Sequence, residues 1–268
     1  MDLSIIIPNF NTKKLLQECL DSLEKNKGRL KMEVIVVDNG SKDSSVDFLK
    51  KNLQRGTVQA ILLDQNWGFT GAVNRGIKRA QGKFLLLLNV DTQVLEGTLE
   101  ETIKFVQDHP QAITGLQLIN PDGSIQPSVY HFPSLFRAIK EFWLGQKDSY
   151  QKYYPRTKKP VKVDAVTGAA MVIPRKIIKK IGLLNEKYFF YFEDLDYCRQ
   201  ANKAGLAVYY LPSAKILHHH GAAGKDFPEI THQWLVESSK KYNGLLKYYL
   251  LTLIIGLGQK WRKLIGKN

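Results

Sequence analysis

The chain has 268 residues, of which 44% are hydrophobic and 24% charged. That supplies the core of one large domain or two small ones and excludes wholesale disorder. A formal net charge of +14 favours anionic partners, whether nucleic acid, acidic lipid headgroups or phosphate-bearing substrates. The two cysteines, Cys19 and Cys198, lie far apart without a CxxC spacing, which speaks against a disulfide framework and against a zinc site. A reducing, cytosolic setting fits them. The first residues show no basic and apolar leader pattern, so no signal peptide is expected.

In chain order, Leu3 to Ile7 is a β-branched run closed by Pro8 and predicts a buried strand. Leu15, Leu16, Cys19, Leu20 and Leu23 fall at helical spacing, with Thr12 as the expected N-cap. Glu33 to Val37 predicts a second strand, ended by Asp38-Asn39-Gly40, and Ser44 or Ser45 a second helix running to Leu53. Val58 to Leu63 predicts a third strand, Gly68 to Ala80 a third helix, and Phe84 to Leu88 a fourth, wholly apolar strand. Strands without alternation are buried on both faces, and their alternation with helices predicts a mainly parallel sheet covered by helices.

After a helix from Glu96 to Asp108 the alternation loosens. Asn120 to Gly123 is a turn, and Phe132 to Pro160 an irregular basic and aromatic insert. Strand character returns between Val163 and Ile173 and at Val208 to Leu211 and Lys215 to Leu217. Helices are expected at Pro174 to Ile181, at Asp194 to Ala204, and from Ile230 onward.

In open α/β sheets, ligands bind beyond the carboxyl ends of the strands. Those ends carry Pro8-Asn9-Phe10-Asn11, Asp38-Asn39-Gly40-Ser41, Asp64-Gln65-Asn66 and Asn89-Val90-Asp91. Asp and Asn are also ordinary turn residues, so one such site means little and four on one edge mean more. Asp91 leaves the apolar fourth strand at that edge, where a carboxylate can hold Mg²⁺ or Mn²⁺ against substrate phosphates. The run Tyr188 to Phe192 opens onto Glu193, Asp194 and Asp196. Apolar surroundings raise a carboxylate pKa and prepare a general base, whereas a plain helix N-terminus explains the acids alone. His218-His219-His220 offers an imidazole ligand, or a packed surface cluster.

Taken in order, these segments resemble glycosyltransferases of the GT-A type, family 2, and within it the rhamnosyltransferase-like members. The segments are Ser4 to Asn11, Val36 to Ser41, Asn66 to Gly76, Leu88 to Asp91, Thr167 to Met171, Phe192 to Asp196 and Leu217-His218. The resemblance implies a Rossmann-like sheet over residues 1–228; the remainder, 229–268, lies outside it and is expected from its own composition to be a basic, amphipathic helical tail. It implies inverting transfer from a nucleoside-diphosphate sugar, dTDP-rhamnose or a UDP-hexose, to a glycan or polyprenyl-diphosphate-linked acceptor. Asp38 would meet the nucleobase, with Pro8 and Asn11 lining the nucleotide pocket. Asn66, Gly68 and Asn74 would shape its floor, and Asn89, also at the nucleotide, stands in place of the first acid of a degenerate DxD motif that ends in Asp91. Asp91 and His218, or His220 if the register slips, would hold Mg²⁺ or Mn²⁺. Asp194 would be the general base and Glu193 would orient the acceptor. Ala222-Ala223 stand where such proteins often carry a serine.

The tail combines apolar residues from Leu245 to Trp261 with Lys240, Lys241, Lys247, Lys260, Arg262 and Lys263, which suits the interface of an anionic membrane. A cytoplasmic enzyme, peripheral on the inner face of the cell membrane, is the expectation; a dimer-forming or core-packing helix is the alternative. Competing readings of the whole are a nucleotidyltransferase, disfavoured because no glycine follows the first strand, and a non-catalytic protein on the same fold. An oxidoreductase is disfavoured by the absence of GxGxxG, and nucleic-acid binding by the basic insert is not expected.

Overall fold

The computed structural model describes residues 1–54, 56–219, 221 and 228–266. β1 (Leu3–Asn9) is followed by α1 (Lys13–Asn26), β2 (Met32–Asp38), α2 (Ser45–Gln54) and β3 (Gln59–Leu62). α3 (Gly68–Arg79) then crosses back to β4 (Phe84–Leu88). β1 pairs in parallel with β2 on one side and β4 on the other, and β2 pairs in parallel with β3. The chain builds outward through β2 and β3 and then returns to the opposite side of β1, so a crevice opens at the carboxyl ends of β1 and β4.

The apolar runs lack alternation because both sheet faces are covered. Ile6, Leu85 and Leu87 pack into one core with Ala72, Val73 and Ile77 of α3. Ile5, Ile7, Leu86 and Leu88 pack into the other with Leu16, Cys19 and Leu23 of α1. Each such side chain contributes about 1.5–3 kcal/mol on burial. Cys19 and Cys198 are both free and buried, and burial pushes each thiol up to about 12, so neither is a nucleophile.

The second half departs from the sequence pattern. β5 (Thr92–Val94), α4 (Thr98–Asp108) and β6 (Ala112–Ile119) follow Asp91, and neither strand is predicted by periodicity. β6 hides behind Thr114, Gly115 and Gln117, which interrupt its apolar run. Gly115 is there because Val166 approaches it: an added Cβ would meet three side-chain atoms of Val166, one of them at 2.9 Å. Gly115→Ala is expected to cost about 1–3 kcal/mol by overpacking, more than the roughly 0.5–1 kcal/mol gained in chain entropy. Urea denaturation reads the difference, and unchanged stability would show that Val166 yields.

The insert is less irregular than expected. β7 (Val129–Tyr130) precedes α5 (Leu135–Phe142), whose N-cap Ser134 accepts a hydrogen bond from the Arg137 N–H at 3.2 Å. β8 (Val161–Lys162), β9 (Ala165–Val166), β10 (Ala170–Pro174), α6 (Arg175–Ile181) and α7 (Glu193–Lys203) come next. The two short runs expected at Val208 and Lys215 are one long strand, β11 (Ala207–His218), irregular between Leu211 and Lys215. α8 (Pro228–Asn243) and α9 (Leu245–Leu264) close the chain, divided at Gly244, where φ is +76°.

Among the described residues, nine strands form one sheet in the order β3-β2-β1-β4-β10-β6-β11-β5, with β8 beside β11; β7 and β9 form a separate ribbon. The β3-β2-β1-β4 block is parallel. Beyond it β10 runs antiparallel to both β4 and β6, and β11 is parallel to β6 and antiparallel to β5. The last pairing sets His218 opposite Thr92, the residue after Asp91.

Candidate active site

A cavity of about 680 Å³ occupies the crevice, within the range of small-molecule sites. Pro8, Asn9, Phe10 and Asn11 form one wall, and Asn39, Asn66 and Gly68 the next. Asn89, Val90, Asp91 and His218 form the third. Facing them are Tyr130, Lys152, Thr167, Gly168 and the segment Phe189 to Leu195, with Trp234 of α8 at the rim.

Asparagines hold the strand-end loops in shape. The Asn39 amide donates to Asn66 Oδ1 at 2.8 Å and to the Gly68 carbonyl at 3.0 Å, while its own oxygen accepts from the Trp67 N–H. Gly68 has φ +74°, and a Cβ there would run into the Phe189 carbonyl. That carbonyl accepts the Phe69 N–H at 2.8 Å, which ties the aromatic segment to α3. Among the described residues four non-glycine residues have positive φ, and three of them, Asn11, Tyr191 and Phe192, line this cavity. Such conformations cost about 1–3 kcal/mol each and cluster at functional sites.

Asp91 and His218 meet on the third wall. His218 Nδ1 donates to Gln126 Oε1 at 2.6 Å, and the Gln126 amide is turned that way by donating to Asn120 Oδ1 at 2.8 Å. This relay leaves His218 Nε2 directed at Asp91 Oδ1, 3.3 Å away. Asp91 is 4% exposed and its Oδ1 has no hydrogen-bond partner; the Asn89 Oδ1 is likewise unsatisfied. A cation beside Oδ1 would satisfy it. Among the described residues no cluster of three or more His, Cys, Asp or Glu side chains could hold a metal ion. Two protein ligands with open positions nonetheless suit Mg²⁺ or Mn²⁺, which complete their shells with water and substrate phosphate.

Glu193 and Asp194 begin α7, and both are buried at 6% and 7% exposure. Asp194 accepts the Gly168 N–H at 3.0 Å and the Leu195 N–H at 2.7 Å. Burial raises the pKa of both carboxyls, and the Asp194 charge raises Glu193 further, to well above the ordinary range. Lys152, solvent-exposed within the cavity walls, pulls Asp194 the other way. Its ammonium lies 5.1 Å from the Tyr130 ring. The Gly168 and Leu195 N–H groups and the Lys152 charge favour the ionised form of Asp194, while the Asp194 charge disfavours that of Glu193, an arrangement suited to a base beside a carboxyl that holds its proton. Asp196 belongs elsewhere: it accepts from Tyr188, Arg199 and Gln200 and is structural.

The expected site residues Pro8, Asn11, Asn66, Gly68, Asn89, Asp91, His218, Glu193 and Asp194 thus share one cavity. Two do not. Asn74 faces away from it, exchanging hydrogen bonds with the Leu184 backbone at 2.8 and 3.1 Å and donating to Glu186 at 2.9 Å. Asp38 is fully buried behind the wall, where it accepts from Asn9 Nδ2 and the Ser41 N–H and so braces the β1 and β2 loops. His220 and Ala222-Ala223 lie outside the described residues. Gln126, Tyr130 and Trp234 were not expected at the site, whereas Lys152 comes from the basic insert, for which an acceptor-side loop is the favoured sequence reading. The expected boundary at 228/229 falls at the start of α8, which contributes Trp234 to the cavity.

The architecture is that of GT-A glycosyltransferases. The crystal structure of GalNAc-T7 with UDP, GalNAc and Mn²⁺ superposes with a TM-score of 0.66 at 15% identity, over 81% of this chain and 44% of that one. Staphylococcus aureus TarS 1–349 in complex with UDP-GlcNAc gives 0.57 at 18% identity, over 95% and 70%. Residues 4–182 match the glycosyl transferase family 2, and the chain belongs to that family. It is 27% identical over 216 residues to the N-acetylglucosaminyl-diphospho-decaprenol L-rhamnosyltransferase of Mycobacterium tuberculosis, covering 73% of this chain and 69% of that protein. The fold, the family and the glycosyltransferase class expected from the motifs are thereby borne out.

Proposed function

We propose that this glycosyltransferase moves a sugar from a nucleoside diphosphate, dTDP-rhamnose or a UDP-hexose, to a hydroxyl of a glycan or lipid-linked acceptor, inverting the anomeric centre. The observation that carries the reading is a single cavity with the Asp91–His218 pair on one wall and the Glu193–Asp194 pair on the other. The first pair would hold Mg²⁺ or Mn²⁺, which when bound offsets the charge of the departing diphosphate. Asp194 takes the proton from the acceptor hydroxyl as that oxygen bonds to the anomeric carbon and the bond to the nucleotide breaks. One displacement inverts the configuration. Glu193, protonated beside it, donates a hydrogen bond that orients the acceptor. Pro8, Asn11, Asn39 and Asn66 face the nucleoside, and Asp38 acts through the loops it braces.

The acceptor class is supported by the rhamnosyltransferase relative, whose name contains a diphospho-decaprenol acceptor. A lipid-linked acceptor and a charge of +14 suit an enzyme peripheral on the inner face of the cell membrane. Among the described residues no helix is long and apolar enough to cross a membrane. NMR of the sugar released or transferred from an anomerically labelled donor tests the chemistry. The first-formed product is expected with inverted configuration; retention would contradict a single displacement assisted by Asp194.

A further inference from the structure

α5 and α9 pack against each other through a small core of Ala138, Phe142 and Leu251. The contact is close. A Cβ at Gly258 would sit 2.8 Å from Phe142 and Trp143, and the Trp143 indole N–H donates to the Ile254 carbonyl at 2.9 Å. One face of α9 is used up in this way.

The other face of α9 is apolar and exposed. Leu246, Leu250, Leu253, Leu257 and Leu264 recur at helical spacing and are 78%, 38%, 57%, 47% and 82% exposed. α5 adds Phe136 at 65% and, just beyond its end, Leu144 at 66%. Single exposed leucines are unremarkable, whereas a stripe of them along one helix face, together with exposed apolar side chains on the helix packed against it, marks an interaction surface. The charge of the tail has one sign. From Ser238 to the last residue the chain has seven lysines and arginines and no aspartate or glutamate. Lys140, whose ammonium lies 4.6 Å from the Phe136 ring, adds a cation on the α5 side.

We infer that the α5–α9 pair is a docking surface for an anionic phospholipid bilayer, with α5 of the central insert contributing as well as the tail. Apolar side chains enter the acyl boundary and the lysines meet the headgroups. A second copy of this chain is the less fitting occupant, because a self-complementary contact would set like charges against each other. The inference deepens the lipid-linked acceptor reading and rests on it. It also has a structural link to the cavity: Glu141 of α5 accepts the N–H groups of Ser149, Tyr150 and Gln151, so the docked helix holds the segment that places Lys152 inside the site.

Sedimentation of the full chain with phosphatidylcholine vesicles, with and without phosphatidylglycerol, tests this. The chain is expected to bind the anionic vesicles and to release them with salt. The double variants Leu253→Glu with Leu257→Glu, and Phe136→Glu with Leu144→Glu, are each expected to weaken binding by about tenfold or more. All these side chains are exposed, so circular dichroism and sugar-nucleotide binding should stay unchanged. Equal vesicle binding by the α5 variant would overturn the role of α5. Absence of vesicle binding by the unaltered chain, or a dimer in sedimentation velocity that the variants dissociate, would overturn the bilayer as occupant. Failure of the unaltered chain to bind any sugar nucleotide would instead sink the proposed function and leave the vesicle result standing.

Discussion

Asp194→Asn is expected to lower kcat by about 10²- to 10⁴-fold, with sugar-nucleotide affinity nearly unchanged. The amide keeps the volume of the carboxylate and one acceptor for the Gly168 and Leu195 N–H groups, so the variant should fold. The pH profile adds a test that a purely structural residue would fail. Burial raises the Asp194 pKa, so the acidic limb of kcat should lie above the ordinary aspartate value of about 4. The Lys152 ammonium stabilises the ionised form, which lowers the pKa. Removing that charge with Lys152→Met should therefore move the limb further toward alkaline pH. A limb that stays put would show that the titrating base is not beside Lys152. Glu193→Gln, by contrast, keeps a hydrogen-bond donor where the protonated carboxyl stood, and should reduce activity far less than Asp194→Asn.

The second large effect is expected on donor binding. Asp91→Ala should weaken sugar-nucleotide affinity in Mg²⁺ or Mn²⁺ by about 10²- to 10³-fold, the equivalent of a few kcal/mol of lost charge neutralisation. His218→Ala should weaken it in the same way. Gln126→Leu should cost about tenfold, because Gln126 acts by fixing which His218 nitrogen faces Asp91. Calorimetric titration with and without a chelator separates the causes. With the metal removed, the unaltered chain should fall to the affinity of Asp91→Ala. Equal losses in the presence and absence of chelator would mean that Asp91 acts on the nucleotide directly.

The parts of this picture legible in the sequence are those where one local pattern has one physical cause. β1, β2 and β4 are apolar on consecutive positions because helices cover both faces, and a carboxylate after such a run lands at the sheet edge, as Asp91 does. The aromatic run before Glu193 and Asp194 forecasts their burial, which is what raises their pKa values. The sheet-edge rule set Asp38 at the crevice and the family resemblance set Asn74 there, and other partners took both elsewhere. Asp38 is recruited by Asn9 and Ser41, and Asn74 by Leu184 and Glu186. β6 was hidden by Gly115, whose reason is Val166, some fifty positions further along. Gln126 could not be found locally at all, since its partner His218 lies 92 residues away and reaches it along β11. α5 was lost in a basic and aromatic stretch because its meaning depends on α9, at the other end of the chain.

The central claim is that the cavity beyond β1 and β4 binds a sugar nucleotide through a divalent cation held by Asp91 and His218. Thermal shift of the full chain against a panel of UDP-, dTDP- and GDP-sugars, with Mg²⁺ or Mn²⁺ and again with EDTA, tests it most directly. Stabilisation by one uridine or thymidine diphosphate sugar, lost with EDTA and absent in Asp91→Ala, is the predicted result. A shift with no member of the panel, under either metal, would contradict it.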